Sequence, residues 1–226
     1  MTTEERLLQA AAEEFAAKGF HAATVADICR RAEANIAAVN YHFGSKEELY
    51  QQAWRQAHKA AYAANPPDGR VPAEAPAEER LRGRLRAFLE RALQEDDLEL
   101  RIMERELLNP TGLLEQVIRQ TLEPLRLDMG HILKELLGEY ADEETVHLCA
   151  LSVIGPCMHI LRRPRRGPVP PPGAWFGPGM LDTLTEHCTA FALAGIRDTR
   201  QRLEQKARAR TGKTRSTKSR TAGGQS

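Results

Sequence analysis

Apolar residues recur at three- and four-residue spacing along this chain, and no stretch alternates as a half-buried strand would. The first stripe is Leu7, Leu8, Ala11, Ala12 and Phe15. Thr2 or Thr3 can cap it, and Lys18-Gly19 ends it with a cation in the last turn and a glycine free to turn left-handed. Phe20 is then placed to fold back on the same face. Thr24 caps a second short helix, with Asp27 at its third position in a near capping box. Val25, Ile28 and Cys29 point inward there, and Arg30 and Arg31 outward. Glu33-Ala34-Asn35 is a turn. Ile36 to Tyr41 predicts a third helix of barely two turns, with Ile36, Val39 and Phe43 toward the core. Gly44 breaks it. Ser45 to Glu48 reads as a capping box for a fourth helix that runs to about Ala64 on Leu49, Ala53, Trp54 and Ala57.

Asn65 to Ala77 holds four prolines and a glycine and is the expected boundary between two parts of the chain. Helical spacing resumes over Ala77–Gln94, Leu98–Leu108, Leu113–Leu137 and Glu143 to about Leu161. Asn109-Pro110-Thr111-Gly112 stops the second of these. Pro124 predicts a kink or break near Thr121–Glu123 in the third. Asp142 caps the fourth. After a proline- and glycine-rich loop, residues 162–179, a last helix runs from Met180 to about Glu204. The fold class is therefore all-α. A three-helix, helix-turn-helix head with its connecting fourth helix occupies residues 1–64. A larger helical body occupies 78–205, and 206–226 is a basic tail expected to be disordered.

Composition changes this picture little. The chain is 42% hydrophobic and 28% charged, with a net charge of +1. Seven Lys or Arg and no acid fall in residues 206–226, which leaves 25 basic against 31 acidic residues elsewhere. The folded part is thus mildly acidic and the tail strongly basic. Cys29, Cys149, Cys157 and Cys188 form no C-x-x-C pair, and no apolar run reaches the ~18 residues of a membrane span. A cytoplasmic protein with reduced thiols is expected. P-loop, dinucleotide, nucleophile-elbow and H-E-x-x-H patterns are missing, so neither an enzyme nor a cofactor is expected. The spacing of His147, Cys149, Cys157 and His159 does not fit a zinc site, so no metal is expected.

The chemistry lies in Thr24–Tyr50. Two short helices joined by a tight turn present the second to a DNA major groove ~12 Å wide. Ala37 and Ala38 are small enough for close approach, and a methyl can touch thymine. Asn35 and Asn40 offer amides to base edges. Thr24, Tyr41, His42 and Lys46 suit phosphates, with the exposed amides at the start of the fourth helix beside them.

With these residues in view, 5–50 resembles the DNA-binding domain of the TetR/AcrR family of transcriptional regulators. The run ANIAAVNYHFGSKEELY after TVADI carries the likeness. Two departures stand out: the family commonly has Gly where this chain has Glu33 or Ala34, and often a further Tyr at or near Asn40. Less specifically, RELLNPTG at 105–112 and LCALSVIGPC at 148–157 are similar to regulators with a CerR-like C-terminal domain. The resemblance implies a ligand-sensing body and a homodimer formed by the last two long helices. It also implies a repressor of a palindromic operator, released by an unknown small molecule. Met103, His131, Met158, His159, Trp175 and Phe176 are candidate pocket residues. The alternative is a sequence-tolerant or architectural DNA-binding protein with no effector.

Overall fold

The computed structural model describes residues 1–94, 96–161 and 179–221. Every regular element among them is a helix: α1 (Thr3–Ala22), α2 (Val25–Arg31), α3 (Ile36–Phe43), α4 (Lys46–Ala64), α5 (Ala77–Leu93), α6 (Leu98–Leu108), α7 (Glu115–Leu137), α8 (Glu143–Leu161) and α9 (Met180–Thr221). Local chemistry sets most starts. Thr2, Thr24, Asn35, Ser45 and Asp97 each accept, through a side-chain oxygen, the backbone N–H three residues on. Thr2 and Glu5 complete a capping box. At Ser45 only half of the expected box forms: Glu48 N–H donates to Ser45 Oγ (3.1 Å), while the Glu48 carboxylate accepts from Gln52 instead (3.0 Å).

Two apolar cores organise the chain. In the first, α1 packs on α4 and α6, and α2 and α3 lie across them. Gly19 takes φ +77°, which turns the chain so that Phe20 folds back as the sequence predicts. The Phe20 ring lies 5.1 Å from that of Tyr50, and Phe15 meets Tyr50 edge-on at 4.7 Å. The second core is formed by α5, α7, α8 and α9, around Leu85, Leu89, Ile132, Leu133, Cys157 and Ile196.

The 65–77 boundary divides the chain but not the packing. Ile102 of α6, and Leu114 and Val117 at the start of α7, are buried in the first core with Phe15, Tyr50 and Trp54. Polar bonds add to this. Tyr50 donates its hydroxyl to Glu106 Oε2 (3.1 Å). Glu106 Oε1 also accepts the N–H groups of Thr111 (2.9 Å) and Gly112 (3.1 Å). Arg105 donates to the carbonyl of Ala17 at 2.8 Å, near the end of α1. The RELLNPTG segment is thus the joint between body and head. A second buried group links α4, α5 and α6. Arg91 pairs with Asp97 (2.8 Å) and Glu99, Tyr62 lays its ring 4.5 Å from the Arg91 guanidinium, and His58 Nδ1 lies 3.8 Å from Glu99.

Two expectations need correction. Of the kink or break expected at Pro124, the break does not form: α7 is continuous across it. Val117 anchors one half in the first core and Met129, Ile132 and Leu133 anchor the other in the second, so packing outweighs one lost backbone bond. The last helix does not stop near Glu204: its backbone stays helical to Thr221, through most of the tail expected to be disordered. Arg200–Glu204 and Asp198–Arg202 pairs and the helix formers of residues 203–210 carry it past Glu204. The loop 162–178 lies outside the described residues. The four cysteines are free thiols, and burial pushes the Cys157 thiol up to about 12.

Glu106 tests the joint. Glu106→Ala leaves a buried tyrosine hydroxyl and turn amides without an acceptor, and is expected to cost about 3 kcal/mol. Tyr50→Phe, which removes one donor, should cost about 1 kcal/mol. Urea melts of both variants check this; equal effects would contradict it.

Candidate nucleic-acid interface

A helix of eight residues does not persist alone in water. Val39 and Phe43, one turn apart, insert into the first core and hold α3 there. The opposite face is open: Asn35, Ala37, Asn40 and Tyr41 are exposed, Tyr41 at 85%. Ala38, expected on this face, is half-buried against the core. Ile36, expected to face the core, is 54% exposed. It is the first helical residue, and its side chain leans toward the helix start, beyond the rim of the core. Ile36 therefore joins the outward face beside Ala37 and Asn40. Heptad spacing to Phe43 hid it; its place at the helix start was the signal that could have found it.

Several of the expected contact residues already have structural duties. Asn35 caps α3 with Oδ1, which accepts from Ala38 N–H at 2.8 Å, so its amide NH2 is what remains for a base edge. Thr24 Oγ1 likewise takes the Asp27 N–H (3.1 Å). Lys46, the first residue of α4, holds its ammonium 4.5 Å from the centre of the Phe20 ring. That contact fixes the stem while leaving a cation beside the free amides at the start of α4. His42 sits at the far end of α3, its ring 5.0 Å from that of Tyr41 and its Nδ1 3.9 Å from Glu4.

The charges flanking the turn are mostly paired. Arg31 bonds Glu13 and Glu14 on α1, each at 2.9 Å, so it braces α2 rather than facing outward free. Asp27 receives Lys18 (3.1 Å) and Arg30 (2.6 Å). Lys18, the Thr24 cap and Arg30 hold its carboxyl down at about 2. The turn departs from glycine in a costly way: Glu33 takes φ +49°, the left-handed region.

The six candidate pocket residues are not gathered into one site. Met103 packs against the first core. His131 lines a groove between α7 and α8 with Arg126, Lys134, Val146 and His147. Met158 is half-buried and His159 exposed on α8, and Trp175 and Phe176 lie outside the described residues. Among the described residues no group of three or more His, Cys, Asp or Glu is placed to hold a metal ion, and no helix is long and apolar enough to cross a membrane.

Known proteins share this arrangement. Residues 7–53 match the family described as bacterial regulatory proteins, tetR family. Residues 77–196 match the C-terminal domain of the HTH-type transcriptional dual regulator CecR. The chain is 28% identical over 165 residues to the HTH-type transcriptional dual regulator CecR of Shigella flexneri, covering 67% of this chain and 72% of that protein. Among solved structures, a TetR-like transcriptional regulator from Rhodococcus sp. RHA1 is similar with a TM-score of 0.64 at 19% identity, covering 86% of this chain and 96% of that one. The fatty acid degradation regulator FadR from Bacillus halodurans gives 0.64 at 15% identity, covering 87% and 97%. The ketosteroid transcriptional regulator KstR2 of Mycobacterium tuberculosis gives 0.58 at 23% identity, covering 86% and 94%.

Two measurements probe the turn. The left-handed cost at Glu33, about 1–2 kcal/mol, exceeds the extra chain entropy a glycine loses, about 0.5–1 kcal/mol. Glu33→Gly is therefore expected to raise Tm, and a fall would show that the side chain has a stabilising contact. Asp27→Asn should lower stability at neutral pH. Because the Asp27 carboxyl is depressed, its contribution is present above about pH 4 and is lost as pH falls toward about 2. The gap between parent and variant in urea melts should close across that window; a gap independent of pH would exclude the ion pairs as its source.

Proposed function

Because this chain belongs to the TetR family of transcriptional regulators, with a CecR-type C-terminal domain, we propose that it works as a homodimeric repressor on a palindromic operator. A small molecule bound by the body releases it. The observation that carries the reading is the outward face of α3, where Ile36, Ala37, Asn40 and Tyr41 are exposed while Val39 and Phe43 lock the helix to the core. That face reads base edges, together with the Asn35 amide and the Ala38 methyl at its margin. Thr24, His42 and Lys46 take phosphates and set the register. Residues 1–64 act as the reading head and 78–205 as the sensing and dimerising body.

Dimerisation is supported by Leu148 and Leu151 on α8 and Phe191 on α9, large apolar side chains left exposed in the single chain. A two-fold axis would cover one such face with its copy. Two heads then meet half-sites one helical turn, or a multiple, apart. A ligand that favours another spacing weakens DNA binding, and DNA weakens the ligand equally. The Shigella flexneri relative is described as a dual regulator, so activation at some promoters is the second reading. The protein acts in the cytoplasm and is not an enzyme.

Selection of duplexes from a random pool with the purified full chain tests the proposal. A palindrome with half-sites about one helical turn apart is the expected product; enrichment of no sequence would favour the architectural alternative. Against the selected duplex, Tyr41→Ala is expected to lose about tenfold in affinity, the size of one base-edge or backbone contact. Its helix content should not change, because the side chain is 85% exposed. Equal affinity of variant and parent would remove α3 from the interface.

A further inference from the structure

Arg6 lies in the first turn of α1, outside the helix-turn-helix proper, yet it opens onto the same end of the molecule as α3. A groove of about 390 Å³ runs between α1 and the α2–α3 turn, and Thr3, Arg6, Arg30, Glu33, Asn35 and Ala38 are among the residues that line it. Asn35 and Ala38 are the cap and first turn of α3. The groove therefore follows the recognition helix along its flank.

The charges in this groove are not alike. Arg30 is paired with Asp27 at 2.6 Å. The neighbouring acids of Arg6 are also engaged, since Glu5 accepts from the Thr2 N–H at 2.7 Å and Glu4 turns to His42 at 3.9 Å. Arg6 itself is half-buried, its Nε is closed off from solvent without a hydrogen-bond partner, and among the described residues no ion pair reaches its guanidinium. Glu33, exposed on the rim, does not supply one. An arginine nitrogen withdrawn from water without an acceptor is costly in free energy, and the two terminal nitrogens, which are not closed off, offer a pair of donors that matches a phosphate oxygen pair. A solvated surface arginine would keep its Nε in water; a packing arginine would find a carbonyl.

We infer that Arg6 is a DNA-backbone contact, taking a phosphate of the strand that flanks α3 into the groove between α1 and the α2–α3 turn. The inference rests on the DNA-binding reading above and adds α1 to the surface that holds the duplex. Its duty is to hold the DNA backbone: it binds every sequence alike and touches no base. Its loss should therefore appear in the salt dependence of binding and not in sequence preference.

The experiment measures affinity of the full chain for the duplex selected from random DNA, and for a random duplex of the same length, over a series of salt concentrations. Arg6→Met keeps the apolar stem and removes the charge. It is expected to flatten the slope of log K against log salt by about 0.9 for each protomer bound. Affinity for both duplexes should fall by the same factor, and Arg6→Lys should keep most of the parent slope. A slope unchanged in Arg6→Met overturns the contact, even while the parent discriminates between the duplexes. Loss of discrimination with the slope retained overturns it too, because it would make Arg6 a support of α3. If Arg6→Met does not fold, Arg6→Gln takes its place with the same expected slope. A parent that fails to prefer the selected duplex overturns the DNA-binding reading itself, and the Arg6 contact with it.

Discussion

Tyr50 sits where three helices meet. Its ring closes against Phe15 of α1 and Phe20 beyond the Gly19 turn, and its hydroxyl donates to the buried Glu106 carboxylate of α6. Aromatic burial contributes most of the attraction at such a point, and the hydrogen bond fixes which way the ring faces. Everything that faces DNA hangs from it. α3 has no stability of its own, and the core it leans on through Val39 and Phe43 exists because α1 and α4 are clamped here. Glu106 also gathers the Thr111 and Gly112 amides, so the turn into α7 is set by the same carboxylate.

In the proposed mechanism a signal from the body reaches the head through the α6 joint, of which this clamp and the Arg91 group are the buried polar parts. Arg91 is buried with two carboxylates, and the ring of Tyr62 from α4 covers it. Buried ion groups add less stability than their contacts suggest, because each charge loses its water. They tolerate few arrangements, however. A helix held by such a group shifts between discrete positions rather than bending gradually. Tyr62 and His58 tie α4 to this group, and the first residue of the helix, Lys46, stands at the proposed DNA surface.

The residues of that surface are held in place by structural duties. Asn35 caps α3, Thr24 caps α2 and Lys46 rests on Phe20. Such bonds cost a side chain part of its donor or acceptor capacity and also remove rotamer freedom that binding would otherwise have to take away. Tyr41, whose ring among the described residues meets only that of its neighbour His42, is the exception.

Most of the fold and of the head was legible in the sequence, because caps, glycines and apolar stripes act over three or four residues. Thr2, Thr24, Ser45 and Asp142 start helices where their side chains can reach a backbone amide, and Gly19 and Gly44 take the positive φ that ends or bends one. What the tertiary structure alone decided depends on distance along the chain. The membership of α6 in the head's core rests on Glu106 meeting a hydroxyl 56 positions earlier, which no local pattern encodes. The separation of Met103 from His131 follows from the same packing. Ile36 turned outward because the core ends one residue short of it, and the Arg6 Nε was left without an acceptor because no element packed beside it brings one within reach. Periodicity specifies which face of a helix is apolar. Only the assembled helices determine how far the cover extends and which charges are left to meet a partner.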